Sequence, residues 1–305
     1  MKVCVASSSL VSEFAINTLL RSEQVDLIGL ITNPDKATGR GQNIKANSLA
    51  QWAQSQKITV EKPNDNEQLK ETLQKLNPDL VITIAYGRLI PITLLNLPKY
   101  GFINLHYSIL PKYRGAAPVQ HAIMDGLKST GVSIFQLDSG MDTGPIYAQR
   151  ECELTNEDVT STLIEKLNRM GVDLLLETLS KIQSEVSPIP QSEKGISYAP
   201  KISKEEGHIN WSENHISVHN RYRALSENPG VFTIYQGQRV RINQMIPAEI
   251  TDLKIGCFNV VDGKFFVGTS GNSLEIIKLT PEGRKMMSGL DFYNGLSDQS
   301  VKSFG

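Results

Sequence analysis

Two short stretches carry the side chains from which chemistry can be built. The first is Gly101-Phe-Ile-Asn104-Leu-His106-Tyr-Ser108-Ile109-Leu110-Pro111-Lys-Tyr-Arg114-Gly115-Ala-Ala-Pro118. If residues 102–106 form a strand, side chains alternate with period two, so Asn104 and His106 share one face at its carboxyl end. An amide donor beside an imidazole suits an acyl-type transition state: Asn hydrogen-bonds a developing oxyanion, and His donates to it or moves protons. Taken alone, the pair also describes a structural histidine beside a turn. The second stretch, Gln136-Leu-Asp138-Ser-Gly140-Met-Asp142-Thr-Gly144-Pro145, holds two Asp-Ser/Thr-Gly triplets. Spaced so closely in one loop, they cannot face each other across a two-lobed cleft as aspartic-protease carboxylates do. Asp before Ser or Thr and Gly is ordinary turn chemistry.

Other nucleophile and nucleotide chemistries fit poorly. Ser108, His106 and Asp142 are the residue types of a hydrolase triad, but there is no Gly-x-Ser-x-Gly elbow. His and Ser two apart on one element rarely reach triad geometry. Gly39-Arg40-Gly41 is neither a P-loop nor a dinucleotide fingerprint, and Val5-Ala6-Ser7-Ser8-Ser9 lacks the glycines of both. Both observations argue against ATP or nicotinamide binding.

The elements that must position these residues alternate strand with helix. Lys2–Ser7, Val25–Thr32 and Leu80–Ala85 are short apolar runs, with helical spacing in Phe14–Leu20, Ser48–Gln56 and Glu67–Leu76. Near-continuous apolar strands between helices predict a Rossmann-like α/β domain with a mainly parallel sheet covered on both faces. A strand at Phe102–His106, a helix near Ala117–Gly126, strands at Gly131–Leu137 and Pro145–Glu153, and a long helix at about Val159–Glu185 complete it. Residues 187–206 scatter Pro188, Pro190 and Pro200 among Ser, Glu and Lys, which reads as a linker. Beyond a helix at Glu213–Leu225, the runs Val231–Tyr235, Arg239–Ile246, Phe265–Val267 and Leu274–Leu279 are β-branched or aromatic. The turn signals Gln236-Gly237 and Asp262-Gly263 lie among them, predicting a small β-barrel of the OB type. The expected organisation is a catalytic domain at 1–186, a linker at 187–206 and a C-terminal β-domain at 207–305.

Composition bounds the partners. The 305 residues are 40% hydrophobic and 21% charged with net charge −1, ordinary for a folded globular chain. From residue 207 there are ten basic against nine acidic side chains, and before it 21 against 23. A polyanion would therefore meet local basic clusters, not a basic domain. Cys4, Cys152 and Cys257 are odd in number, far apart and without Cys-x-x-Cys spacing, against a disulfide framework or structural zinc. No apolar run approaches a membrane span, and the start lacks a signal peptide's pattern. The expectation is a cytoplasmic protein without metal, monomeric by default.

Together these segments resemble the folate-dependent formyltransferases. Asn104-Leu-His106, Ser108-Ile109-Leu110-Pro111 and Met141-Asp142-Thr143-Gly144 match that family's Asn/His/Asp site and folate-contacting loop. Three further features resemble the branch whose acceptor is methionyl-initiator tRNA. They are Pro34-Asp35-Lys36-Ala37-Thr38-Gly39-Arg40-Gly41, Arg114-Gly-Ala-Ala-Pro118-Val-Gln120, and Tyr198-Ala-Pro-Lys201-Ile-Ser-Lys204-Glu-Glu206 before Ile209-Asn210-Trp211. The likeness is dense over residues 30–145 and sparse in the last hundred. Ser7-Ser8-Ser9 stands where the family commonly has Gly-Thr-Pro, and Glu227-Asn228-Pro229-Gly230-Val231 where it has Asn-Pro-Trp-Pro.

The resemblance implies transfer of a formyl group from 10-formyltetrahydrofolate to the methionyl amine for translation initiation. Asn104 and His106 would hold the tetrahedral oxyanion, with Asp142 supporting His106 or accepting the amine's proton. Ser108, Ile109, Leu110 and Pro111 would line the folate site, joined by Tyr86 and Gly87 from another strand end. In the resembled branch the basic loop enters the acceptor stem, which assigns RNA contact to Lys36, Arg40 and Lys45. That loop, residues 33–47, is longer than the roughly 2–6 residues usual between strand and helix. Arg221, Arg223, Arg239, Arg241, Arg284 and Lys285 offer a possible phosphate-binding face in the β-domain. Two alternatives stand beside this reading. One is the same chemistry on an amino-sugar nucleotide or other small amine; the other is an RNA-binding module with an inert folate site.

Overall fold

The computed structural model describes residues 1–38, 43–250, 252–297 and 301–305. The chain forms two compact units. The first comprises Met1–Pro118, Ser129–Glu153 and Ile164–Pro200; the second comprises Val119–Lys128, Leu154–Leu163 and Lys201–Gly305.

The first unit begins with β1 (Lys2–Ala6), α1 (Glu13–Leu20), β2 (Asp26–Ile31), a hairpin of β3 (Lys36–Thr38) and β4 (Asn43–Lys45), and α2 (Ser48–Ser55). It continues through β5 (Val60–Glu61), α3 (Asn66–Leu76), β6 (Leu80–Thr83), α4 (Ile92–Leu95) and β7 (Phe102–His106). After α5 (Pro118–Met124), which belongs to the second unit from Val119 onward, come β8 (Ser129–Gln136), β9 (Ile146–Glu153) and the long α6 (Thr160–Gln183), which belongs to the first unit from Ile164 onward. Seven strands form one sheet in the order β5-β2-β1-β6-β7-β8-β9. The first five run parallel; β8 pairs antiparallel with β7, and β9 with β8.

Burial explains the composition of the central strands. Val3–Ala6 and all of β6 are buried, so these strands are apolar on both faces, as a sheet covered by helices requires. Strand order reverses at β1, with β2 on one side and β6 on the other. Open α/β sheets bind ligands outside the carboxyl ends of the strands at such a switch point. Ser8 Oγ donates to the Ala85 carbonyl at 3.0 Å, drawing the ends of β1 and β6 together there.

The second unit contains α7 (His215–Leu225) and the strands β10 (Val231–Tyr235), β11 (Gln238–Ala248), β12 (Phe258–Val261), β13 (Lys264–Gly268), β14 (Ser273–Pro281) and β15 (Met287–Ser288), then α8 (Gly289–Asn294). These strands form one antiparallel sheet in the order β10-β11-β14-β13-β12, with β15 on β14. Both expected two-residue turns form, with positive φ at Gln236 (49°), Gly237 (77°), Asp262 (49°) and Gly263 (74°). The chain's last residues join the outer strands. Phe258 N–H donates to the Lys302 carbonyl at 3.0 Å and Gly305 N–H to the Ile234 carbonyl at 3.0 Å. Tyr235, Phe258, Phe265, Phe292 and Phe304 pack their rings together, and Trp211 stacks on Phe304 at 5.9 Å.

Several short elements differ from the sequence-based expectation, β5, α4 and β15 among them. Residues 33–47, read as a loop, hold the β3–β4 hairpin; its strands are too short to show alternation. β12 and α8 are not predicted because each is only a few residues long, shorter than the window over which periodicity accumulates.

Phe304 is 4% exposed, so Phe304→Ala should cost the second unit about 3–5 kcal/mol. Guanidinium unfolding read by Trp211 fluorescence in a Trp52→Phe background measures this. A loss below about 1 kcal/mol would mean the chain end adds nothing to that core.

Candidate active site

The site is built at the carboxyl end of β7. Thr83 and Phe135 flank Asn104 in the sheet, and Ser133 flanks His106. Asn104 is half-buried and its side chain makes no hydrogen bond to a described residue, which leaves its amide available to an oxygen. His106 is buried, with the Phe135 ring edge-on at 6.3 Å.

Both ring nitrogens of His106 are addressed. Nε2 lies 3.0 Å from the Tyr113 carbonyl oxygen. A carbonyl only accepts, so Nε2 carries hydrogen and the neutral ring keeps its lone pair on Nδ1. Nδ1 faces Asp142 Oδ2 at 3.7 Å. Burial pushes the His106 pKa below its ordinary 6.5, while the Asp142 charge and the Tyr113 carbonyl oppose that shift. The result is a neutral imidazole whose open nitrogen faces a carboxylate: a proton acceptor whose charged form already has its counter-ion.

The two Asp triplets have different fates. Asp138 is a turn residue, accepting from Gly140 N–H at 3.0 Å and Thr143 Oγ at 2.6 Å. Asp142 has a left-handed backbone (φ 53°), and its Oδ2 accepts from Gly115 N–H at 2.7 Å. A Cβ on Gly144 would collide with the Gln136 carbonyl, so only glycine lets this loop close against the end of β8.

The loop after β7 is pinned from β8 and β9. Ser133 Oγ donates to the Ser108 carbonyl at 2.6 Å and accepts from Leu110 N–H at 3.0 Å. Gln149 Nε2 donates to the Leu110 carbonyl at 2.8 Å. Ser108 and Leu110 are buried and hold the loop, while Ile109 and Pro111 alternate with them and remain half-open. At the end of β6, the Tyr86 ring packs into the core with Cys4, Ala6 and Ile31, so only its backbone borders the strand end. Gly87 has φ 67°, and a Cβ there would meet nothing within 4 Å. Strand-end and loop residues are thus brought together around β7; Ser133, Gln149 and the Tyr113 carbonyl were not foreseen. Ser133 and Gln149 show no sequence signal beyond being polar in apolar strands. Tyr113 acts through its main chain, which side-chain patterns cannot reveal.

The basic residues separate. Lys36 and Lys45 are exposed and paired across the β3–β4 hairpin. Asp35 beside them is neutralised by Lys62 at 2.6 Å. Arg40 lies outside the described residues. In the second unit Arg223 is buried against the carbonyls of Thr155 and Asp158, so it belongs to no surface. Arg239 and Arg241 are exposed on one face of β11, the former stacked 3.5 Å from the Phe232 ring centroid. Among the described residues, no group of three His, Cys, Asp or Glu is placed to hold a metal ion, and no helix is long and apolar enough to cross a membrane. A cavity of about 430 Å³ lies at the amino end of β7, lined by Lys99, Tyr100, Gln136 and Tyr147, and includes none of Asn104, His106 and Asp142.

Comparison with known proteins identifies the family. Residues 1–179 match the formyl transferase family model and residues 201–297 match the model of the formyl transferase C-terminal domain. The chain belongs to the formyl transferase family. Curated relatives named methionyl-tRNA formyltransferase match this formyl transferase over nearly its whole length. That of Caldicellulosiruptor saccharolyticus is 37% identical over 93% of this chain and 94% of its own. That of Dictyoglomus thermophilum is 40% identical over 90% of each. Among solved structures, the N-formyltransferase of Helicobacter canadensis in complex with folinic acid and dTDP-3-aminofucose superposes with TM-score 0.66. It is 20% identical and covers 90% of this chain and 98% of that one, a likeness of fold. HypX of Aquifex aeolicus in complex with tetrahydrofolic acid gives 0.66 at 18% identity, covering 96% of this formyl transferase but 46% of HypX.

The electrostatics of this formyl transferase predict a titration. His106 should titrate below 6.5, and Asp142→Asn, which removes a charge that raises its pKa, should move it lower still. Nitrogen-15 NMR of the imidazole against pH reads both. An upward move in Asp142→Asn would sink the assigned pairing.

Proposed function

We propose that this chain transfers the formyl group of 10-formyltetrahydrofolate to the α-amino group of methionyl-initiator tRNA, giving the formylated tRNA used in translation initiation. The observation that carries the reading is the His106–Asp142 pair beside the available Asn104 amide at the carboxyl end of the sheet. Its support in sequence is the near-full-length likeness to methionyl-tRNA formyltransferases at 34–40% identity.

The neutral amine attacks the formyl carbon, forming the new N–C bond and placing charge on the formyl oxygen. Asn104 donates to that oxygen. His106 Nδ1 takes the proton the amine loses, and Asp142 stabilises the imidazolium. As the old C–N bond breaks, His106 returns the proton to the departing folate nitrogen, so protons and electrons balance and neutral His106 is restored. The folate lies against half-open Ile109 and Pro111 and the open backbone at Gly87, whose missing side chain leaves room for a flat ring. No step calls for a metal.

Residues 1–186 carry the chemistry, 187–206 connect, and 207–305 serve tRNA binding. Lys36, Arg40 and Lys45 contact the acceptor end, and exposed Arg239 and Arg241 offer phosphate contacts in the β-domain. The enzyme works as a cytoplasmic monomer. A small amine such as an amino-sugar nucleotide offers no acceptor stem for Lys36, Arg40 and Lys45 to contact.

The test is formyl transfer from 10-formyltetrahydrofolate to methionyl-initiator tRNA and, in parallel, to amino-sugar nucleotides. Asn104→Ala and His106→Ala should each lower kcat about 10²–10³-fold. Arg40→Ala should raise KM for tRNA and reduce the slope of log affinity against log salt by about 1. Transfer to the small amine alone would keep the catalytic residues and discard the tRNA acceptor.

A further inference from the structure

Residues 189–199, whose composition reads as a plain connector, are bonded to both partners of His106. Gln191 uses its whole amide. Its Oε1 accepts from Arg114 Nη2 at 2.7 Å and Nε at 3.2 Å; its Nε2 donates to the carbonyls of Asp142 and Gly144, both at 2.8 Å. An amide has two acceptor sites and two hydrogens, so none is left over. Asp142 is a non-glycine residue in the left-handed region, a conformation that persists only when its surroundings hold it. Gln191 grips the carbonyls on either side of that turn.

The other partner is held from the same segment. Tyr113, whose carbonyl accepts from His106 Nε2, donates its N–H to Ser197 Oγ at 2.9 Å. Arg114 N–H donates to the Ser197 carbonyl at 2.9 Å, and Ala199 N–H donates to the Arg114 carbonyl at 2.7 Å. Gly115, whose N–H reaches Asp142, passes so close to this segment that a Cβ would lie 2.6 Å from the Ala199 carbonyl. Arg114 is buried, and its guanidinium links the Tyr113–Gly115 turn to the Asp142 loop through Gln191.

We infer that Gln191 and Ser197 are positioning residues for the formyl transfer: the 191–199 strap fixes Tyr113 and Asp142 on opposite nitrogens of His106 and so selects the Nε2–H tautomer that leaves Nδ1 open. The inference rests on the proposed reaction for its effect on rate, but its effect on the imidazole stands apart from it. Neither residue touches the reacting atoms, so loosening the strap lowers kcat and leaves substrate binding alone.

The experiment uses the full chain with Gln191→Ala, Gln191→Glu and Ser197→Ala, and Ser192→Ala as a control on the same strap. Gln191→Glu keeps a partner for Arg114 but sets a carboxylate against the two carbonyls that Gln191 now supplies with hydrogens. Both Gln191 variants should lower kcat about tenfold or more, towards the roughly 10²-fold that an ångström of misplacement costs. KM for folate and tRNA should stay within about twofold, because uniform binding is untouched. Nitrogen-15 spectra of His106 should show Nε2–H alone in the wild type and a mixture of tautomers in Gln191→Ala. Ser192→Ala, whose hydroxyl accepts from Lys194 N–H, should match the wild type in both readouts. A lowered thermal midpoint or a lowered kcat with an unchanged imidazole spectrum would overturn the proposal, as would wild-type kcat in Gln191→Ala. If the wild type formylates no amine while the spectra change as expected, the functional reading fails and the strap's role stands.

Discussion

A buried imidazole stays useful only if each ring nitrogen has one defined task. His106 meets that condition through the Tyr113 carbonyl at 3.0 Å on Nε2 and the Asp142 carboxylate at 3.7 Å from Nδ1. The carbonyl supplies no charge; it fixes where the hydrogen sits. The carboxylate, 3.7 Å away, supplies charge without occupying the lone pair, since a carboxylate only accepts hydrogen bonds. Burial lowers the basicity of the ring and the two partners restore part of it, so the nitrogen is empty and ready near neutral pH. The left-handed turn at Asp142, the close approach at Gly115 and the Ser133–Gln149 anchor all serve to keep those two oxygens in place.

Much of the scaffold that does this was legible beforehand, for physical reasons that differ by element. The apolar runs of β1 and β6 are readable because strands covered on both faces must be apolar throughout. Gln236-Gly237 and Asp262-Gly263 are readable because a two-residue hairpin demands positive φ at both positions. Asn104 and His106 are readable as a pair because the strand period puts them on one face. The β3–β4 hairpin and α8 were not, since each is shorter than the window over which periodicity accumulates.

The two Asp triplets mark the limit of local reasoning. Asp138-Ser-Gly140 and Asp142-Thr-Gly144 carry the same turn chemistry, and nothing within either says which carboxylate meets an imidazole. Only family resemblance separated them beforehand. Asp138 spends its carboxylate on its own turn, whereas Asp142 is left to a residue far back in the chain. The composition of residues 187–206 misleads in the opposite direction. Prolines and serines there describe a chain that forms neither helix nor strand, but polar groups of the same segment satisfy backbone donors and acceptors of the loops that hold Tyr113 and Asp142. Irregular backbone is not the same as unattached backbone.

The reversal of strand direction between β7 and β8 makes the arrangement possible. A parallel neighbour would have presented its own carboxyl end beside His106 and left by a crossover on the far side of the sheet. Antiparallel β8 instead sets Ser133 opposite His106 and Phe135 opposite Asn104, so one strand supplies both the anchor for the loop after β7 and the ring that borders the imidazole. It also leaves the sheet at the amino end of β7, beside Ile103. β9 begins at that same end, with Ile146 opposite Phe135, so the connecting loop reaches out along β7 and returns before β9 starts. That path brings Asp142 to Nδ1, and it passes so near the Gln136 carbonyl that position 144 admits no side chain. The requirement for glycine at 144 and the placement of the carboxylate at 142 therefore belong to one excursion of the β8–β9 connection: it reaches His106 at 142 and closes against the end of β8 at 144.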